Sequence, residues 1–345
     1  MGLAVLTLAE VDWPPLLAAG RRAGVIRQVA EDFEVVEIAS VEPAGEGEHL
    51  WVRVRKRGWT TEAVGQHLAR WAGIPPRAVS WAGRKDRRAV TEQWFSLHLP
   101  GRADPDSSEG WPEGVELLAA RRHSRRIRLG QHAGNRFRLR VRACDAAIDE
   151  IGARLEALVE GGFPNYFGPQ RFGRRGDNML QARRWLLEGA RVRGRGLRSI
   201  LLSAVRSWLF NEVLAARVRE GSWCVPAAGD VLMLEGSGSV FVHDPLAQGA
   251  EDVLDRVARG DLHVTGPLAG SGDGFAVGGA EAVVLARWEA WVRALSKQGV
   301  KMARRSFRVM PKEVDLEACE DGFRVSFTLP AGAYATSFIQ ELIQL

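Results

Sequence analysis

The chain is poor in several features that would assign it to a common class. Its three cysteines, Cys144, Cys224 and Cys319, lie far apart and without C-x-x-C spacing. Neither a disulfide framework nor a thiolate zinc site is therefore indicated, and free thiols are expected. No run of about 18 uncharged apolar residues is present, the length a helix needs to cross a bilayer. The start, MGLAVLTLAEVDWPP, lacks the basic opening and long apolar stretch of a secretory signal. A cytoplasmic protein with no membrane association is expected. There is also no G-x-x-x-x-G-K-[ST] loop, H-E-x-x-H helix or G-x-S-x-G elbow, which removes support for the common ATPase, metalloprotease and serine-hydrolase chemistries. The GSGDG stretch at 270–274 is not the G-x-G-x-x-G turn of a dinucleotide fold. No metal and no cofactor are implied.

Lysine is scarce too. Only Lys56, Lys85, Lys297, Lys301 and Lys312 stand among 47 basic residues, set against 42 acidic ones for a net charge of +5. The basic charge is therefore guanidinium, whose planar fork suits phosphate. Basic runs at 53–57, 84–88, 121–128, 171–175 and 191–198 are interleaved with aromatics and glycines. A polyanionic partner and ordinary solvated faces both fit that pattern.

With 345 residues, 46% of them hydrophobic, the chain can bury a large core in two domains or one large one. Period-two alternation predicts strands in FEVVEI (33–38) and LWVRVRK (50–56). Thr60 or Thr61 should cap a helix carrying Val64, Leu68 and Trp71. Strands are expected at 78–83 and 92–99, flanking a charged loop at 84–90, and again at 125–130 and 135–141. A helix with Ile148, Ile151, Leu155 and Leu158 on one face should end at Gly161 and Gly162. From 165 to 304 the pattern is mainly helical, with segments near 179–187, 199–219, 251–259 and 281–296. Strands return at 305–311 and 323–330, followed by a helix at 337–345. The expected class is α+β: residues 1–163 and 305–345 would form one catalytic domain whose two pieces complete a mixed sheet, with 164–304 inserted.

The densest chemical candidate is AGRKDRRAVTEQWF, 82–95, where Asp86 is the one acid among Arg84, Lys85, Arg87 and Arg88. Cations on both sides favour the ionised carboxylate. Such a group is a poor general acid but a competent nucleophile or base in a site that attracts phosphate. On charge alone, a surface aspartate tied into local ion pairs explains the segment as well.

This segment resembles the catalytic motif of the TruD family of tRNA pseudouridine synthases, of bacterial type. EDFEVVEI (31–38) resembles the family's E-D-F segment and HAGNRFRLRV (132–141) its G-N-x-F strand. NYFGPQRFG (165–173) and TGPLAG (265–270) are similar to elements of its inserted domain, and PAGAYATSFIQELI (330–343) to its C-terminal segment. The blocks follow family order over nearly the whole chain. The resemblance implies a pseudouridine-synthase catalytic fold with a mixed central β-sheet and a mainly helical inserted TRUD domain. It implies that Asp86 is the catalytic carboxylate and that Phe33, Asn135, Phe137 and Tyr334 line a uridine pocket. Arg27 stands where the family usually has lysine, and Tyr334 where phenylalanine is common. Arg27 or Lys85 would orient the carboxylate. Arg84, Arg87, Arg171, Arg174 and Arg175 are expected RNA contacts, although the aromatics around 165–175 also fit a purely structural anchor. The implied partner is tRNA, modified at uridine 13, and no protein partner is inferable. A non-catalytic tRNA-binding or RNA-folding protein is the alternative, which an intact Asp86, Asn135 and Phe137 disfavour.

Overall fold

A computed structural model of the protein describes residues 13–106, 110–173, 176–272 and 278–345. Contacts divide these into two units. A sheet unit takes 21–159, 311–332 and 343–345, and a helical unit takes 13–20, 160–310 and 333–342.

The period-two segments become β1 (Phe33–Ala39) and β2 (His49–Lys56). Helix α1 (Thr61–Trp71) follows, started by the Thr60 hydroxyl accepting from the Ala63 N–H, and it buries Val64 and Leu68. Next come β3 (Val79–Trp81), β4 (Val90–His98), β5 (Val115–His123), β6 (His132–Arg142) and α2 (Ile148–Gly161). The chain continues through β7 (Phe163–Pro164), α3 (Asp177–Leu186), α4 (Arg195–Arg219), β8 (Val231–Leu234), β9 (Val240–Val242), α5 (Pro245–Gln248) and α6 (Ala250–Ala258). After β10 (Leu262–Leu268), α7 (Gly279–Ala286), α8 (Glu289–Lys297), β11 (Ala303–Ser306) and β12 (Arg308–Val309), it reaches β13 (Lys312–Cys319), β14 (Gly322–Pro330) and α9 (Ala335–Leu342).

In the sheet unit the strand order is β13-β14-β6-β1-β4-β2-β5, with β3 added on β4. The β1–β4 pair is parallel and its neighbours are antiparallel, so the sheet is mixed. Leu50, Val52 and Val54 of β2 pack with Phe95 and Leu97 of β4 and with Val64 and Leu68 of α1. Phe137 of β6 stacks on its cross-strand partner Phe327 of β14 at 5.3 Å and meets Phe33 of β1 edge-on at 6.3 Å. Two distant stretches of chain are thereby joined through aromatic contact as well as strand pairing.

The helical unit is built on α4, whose Trp208, Phe210, Val213 and Leu214 are buried. It also holds a four-stranded antiparallel sheet, β11-β10-β8-β9, and the pair β12-β7. No helix among the described residues is long and apolar enough to cross a membrane.

Several expectations need correction. Residues 125–130 are not a strand; the strand is β5, which pairs with β2. The later stretch is irregular, held by Trp51 Nε1 donating to the Arg125 carbonyl and by the Gly130 N–H donating to the Ala82 carbonyl. β13 was not expected, although Val314, Leu316 and Ala318 alternate with Glu313, Asp315 and Glu317, and none of its residues is fully buried. The expected helix at 281–296 is two, α7 and α8. Residues 305–310 and 333–342 group with the helical unit. The cause is local: β12 pairs with β7, and Phe338 of α9 packs edge-on against Phe163 of β7 at 5.3 Å.

Candidate active site

Asp86 lies on the loop between β3 and β4, and three separate contacts fix it. Its Oδ2 is 3.2 Å from Arg27 Nη1. Its Oδ1 accepts from the Arg88 N–H at 3.0 Å, the local turn typical of aspartate. Its backbone carbonyl accepts from Lys56 Nζ at 2.8 Å. The carboxylate is oriented yet 41% exposed, so it can be reached. Lys56 is only 1% exposed, and burial pushes its ammonium down to about 8 from its ordinary 10.5, against a smaller opposing pull from Asp86.

The cation that pairs with the carboxylate is not one of its sequence neighbours. Arg84 pairs with Glu62, Lys85 turns inward, and Arg87 donates to the Gly58 carbonyl. The partner is Arg27, whose φ of 61° puts a non-glycine residue in the left-handed region. Its guanidinium also lies over the Phe33 ring, 3.8 Å from the centroid. Burial lowers the Arg27 pKa, and Asp86 works against that shift. Thr61, the first residue of α1, ties the loop down: its hydroxyl accepts from the Lys85 N–H at 2.9 Å and donates to Gln93 Oε1 at 2.8 Å. Gln93 Nε2 in turn donates to the Gly83 carbonyl at 3.0 Å.

Lys85 connects this loop to the sheet. Its ammonium donates to Asn135 Oδ1 at 2.6 Å and pairs with Glu37 Oε2 at 3.0 Å. Glu37 and Asn135 are register partners on β1 and β6, and Val35 and Phe137 face each other two residues along. Strand pairing therefore brings Glu37, Asn135 and Phe137 together, and Lys85 closes the group. Both Phe33 and Phe137 are buried.

Tyr334 and Arg171 are brought together in the helical unit. Arg171 Nε donates to the Tyr334 hydroxyl at 3.1 Å and Nη1 to Ser203 Oγ at 3.2 Å. Phe167 meets Tyr334 edge-on at 5.8 Å, and Arg305 lies over Phe167 at 4.1 Å from its centroid. Burial lowers Arg305 to about 10. Arg174 and Arg175 lie outside the described residues.

The family model described as "tRNA pseudouridine synthase D (TruD)" matches residues 18–190 and 178–342. The chain belongs to the TruD family. A tRNA pseudouridine synthase D of Aeromonas salmonicida is 44% identical over 324 residues, 93% of this chain and 91% of that one. Another, from Pseudomonas aeruginosa, is 43% identical over 345 residues, 98% and 96% of the two chains. The crystal structure of a Methanosarcina mazei protein described as a tRNA pseudouridine synthase D superposes with a TM-score of 0.73 at 23% identity, over 96% of each chain, which is a likeness of fold. Membership in the TruD family makes the chain an isomerase.

For this TruD-family chain, reading the sequence missed Lys56, Glu37, Thr61 and Gln93. Two of them carried a signal. Lys56 shares parity with Leu50, Val52 and Val54 on β2, and Glu37 shares it with Phe33 and Val35 on β1. A charged residue on the buried face of a strand needs a partner, and these two lie at the candidate site.

Proposed function

We propose that this chain converts uridine 13 of tRNA to pseudouridine, with Asp86 as the essential carboxylate. The observation that carries this is the arrangement around Asp86: an ionisable, reachable carboxylate whose two oxygens and carbonyl are each held by a different donor. In the reaction the N1–C1′ bond breaks and the uracil turns while held. C5 then bonds to C1′, the C5 proton leaves and N1 gains one. The carboxylate can add to C1′ or remove the C2′ proton, and both routes need it ionised and aimed at the ribose. Arg27 supplies that aim and stabilises the anion.

A uridine in folded RNA must be unstacked before its glycosidic bond can be reached, and aromatic faces replace the lost stacking. Phe33 and Phe137 are proposed for this role. Because Arg27 covers Phe33, a base stacking on that ring must shift the guanidinium aside without parting it from Asp86. Asn135, with its Oδ1 held by Lys85, leaves its amide N–H groups to donate to a pyrimidine carbonyl. The proposed role of Tyr334 in base binding rests on the resemblance of 330–343 to the family's C-terminal segment. Arg84, Arg87 and Arg171 are proposed RNA contacts; of these, Arg84 must first leave Glu62.

The test is D86N. The neutral isostere should bind tRNA nearly as well as the unaltered protein but release no tritium from RNA carrying 5-tritiated uridine. Full activity would remove Asp86 from the mechanism. Nucleotide-resolution mapping of tRNA treated with the unaltered protein should show pseudouridine at position 13, and modification only elsewhere would refute the site assignment.

A further inference from the structure

Beside the Asp86 loop the sheet unit contains a cavity of about 560 Å³, lined by residues that include Arg27, Gln28, Arg57, Gly58, Arg87 and Arg88. Small-molecule pockets span roughly 300–1,000 Å³, so the space suits a nucleotide-sized group. Its wall is strongly cationic. Four arginines line it, and the carboxylates that touch their guanidiniums are Asp86 on Arg27 and Glu31 on Arg57, the latter at 2.6 Å. Among the described residues no carboxylate pairs with the guanidinium of Arg87 or Arg88, and both side chains are exposed. The arginines arrive from three separate places in the chain: the turn before β1, the end of β2, and the loop after β3.

Three anchors make this a built site rather than a loose cationic patch. Arg87 Nε is fixed on the Gly58 carbonyl at 2.8 Å, so two walls of the cavity are bonded to each other. Arg88 is the residue whose N–H binds the Asp86 carboxylate, and Arg27 is the residue whose guanidinium pairs with it. The cavity and the carboxylate therefore share two residues. A group bound there lies beside the Asp86 carboxylate.

We infer that this cavity is a phosphodiester subsite that grips the RNA backbone next to the flipped uridine, using Arg57, Arg87 and Arg88. The inference rests on the reading that the substrate is RNA and names where its backbone is held. Guanidinium forks recognise phosphate oxygens by paired N–H donors. An incoming phosphate also competes for Arg57 with Glu31, whose carboxyl is already held below its usual range chiefly by its hydrogen bond to Arg57. Arg84 pairs with Glu62 and does not line the cavity.

The test uses the full chain and a tRNA stem-loop in which each phosphodiester around the target uridine is replaced, one at a time, by a neutral methylphosphonate. In the unaltered protein one or two linkages flanking the uridine should weaken binding by about tenfold, equal to about 1.4 kcal/mol. In R57A/R88A the unmodified RNA should bind more weakly, with a salt slope shallower by about one for each arginine removed, and those same linkages should no longer matter. R57Q and R88Q singly replace the double variant if it does not fold. Additive losses, or an unchanged salt slope, would overturn the subsite. The outcome is separable from the proposed reaction: pseudouridine formed without linkage interference sinks only the subsite, whereas interference without pseudouridine supports the subsite and sinks the reaction.

Discussion

Lys56 shows how one residue can pull stability and activity in opposite directions. Its ammonium is buried beneath the Asp86 loop, where burial, with a smaller push from Lys85, opposes the charge and outweighs Asp86 and Glu62, which favour it. The unfolded chain keeps this proton up to about pH 10.5, but the folded chain releases it near 8. Between those values the unfolded state binds more protons, so the Lys56 contribution makes folding more favourable as pH rises. Activity should move the other way, because the charged donor that fixes the Asp86 carbonyl is lost. We expect kcat/KM to fall above about pH 8 while the melting temperature of the unaltered protein gains on that of K56M over the same range. K56M should be slow at every pH and lack the alkaline limb. A pH–rate profile paired with melts decides it, and an alkaline limb that survives in K56M would assign that limb to another group. At Tyr334 a milder outcome is expected. Y334F loses the hydroxyl that accepts from Arg171, worth about 0.5–1.5 kcal/mol of stability, but keeps the ring, so kcat should stay within a few-fold. Y334A should lose most of the activity, and equal rates for the two variants would remove the ring from base binding.

At the scale of the elements, the site depends on strand register. Gly134, the glycine of the G-N-x-F segment, is a Cα partner of Pro330, and a Cβ added to it would come within 2.4 Å of the Leu329 carbonyl oxygen. The backbone of β14 leaves no room for a methyl group. G134A should therefore cost about 1–3 kcal/mol through overpacking, seen as a lower urea midpoint. It should also slow catalysis at temperatures where the variant is folded, because the adjacent Asn135 shifts. Unchanged activity in a destabilised G134A would show that Asn135 need not be held so closely. Most of these elements were legible from periodicity: β1, β2, α1 and the strands around Asp86 follow from alternation and from one threonine cap. β5 was misplaced because its sequence, VELLAARRH, runs Leu117 to Ala120 without alternating and leaves Leu117, Leu118 and Ala119 only partly buried, while the arginine-rich stretch after it imitates alternation without pairing. The site was legible in its residues and only partly in its contacts. Of the two cations expected to orient Asp86, Arg27 pairs with it and Lys85 does not, while the charged neighbours in the KDR segment turn to Glu62, Glu37 and Gly58 instead of neutralising it. Side-chain direction on an irregular loop is set by tertiary contacts that no spacing rule encodes.

For the molecule as a whole, the count of arginines overstates the charge available to RNA. One face of β6 presents Arg136, Arg138, Arg140 and Arg142, and each has a carboxylate within reach: Glu313 at 2.8 Å, Glu317 at 3.7 Å, Asp321 at 2.6 Å and Asp32 at 2.8 Å. Arg53 and Arg55 share Glu92 in the same way, each at 2.7 Å. Within the helical unit Arg304 and Arg217 are buried on Glu281 and Asp230. Such pairs cancel locally and their field dies within a Debye length of about 8–10 Å, so the net charge of +5 reflects a smaller set of unpaired cations. Binding of tRNA should therefore weaken with salt by the slope of a few phosphate contacts, each worth about 0.7–0.9, far below what 47 basic residues would suggest. R138A removes one member of an exposed pair, so it should change stability by no more than about 1 kcal/mol and leave the tRNA salt slope where it was. Affinity measured from low to moderate salt for the unaltered protein and R138A checks both statements. A slope that drops by about one in R138A would place the β6 face on the RNA and require its ion pairs to open on binding.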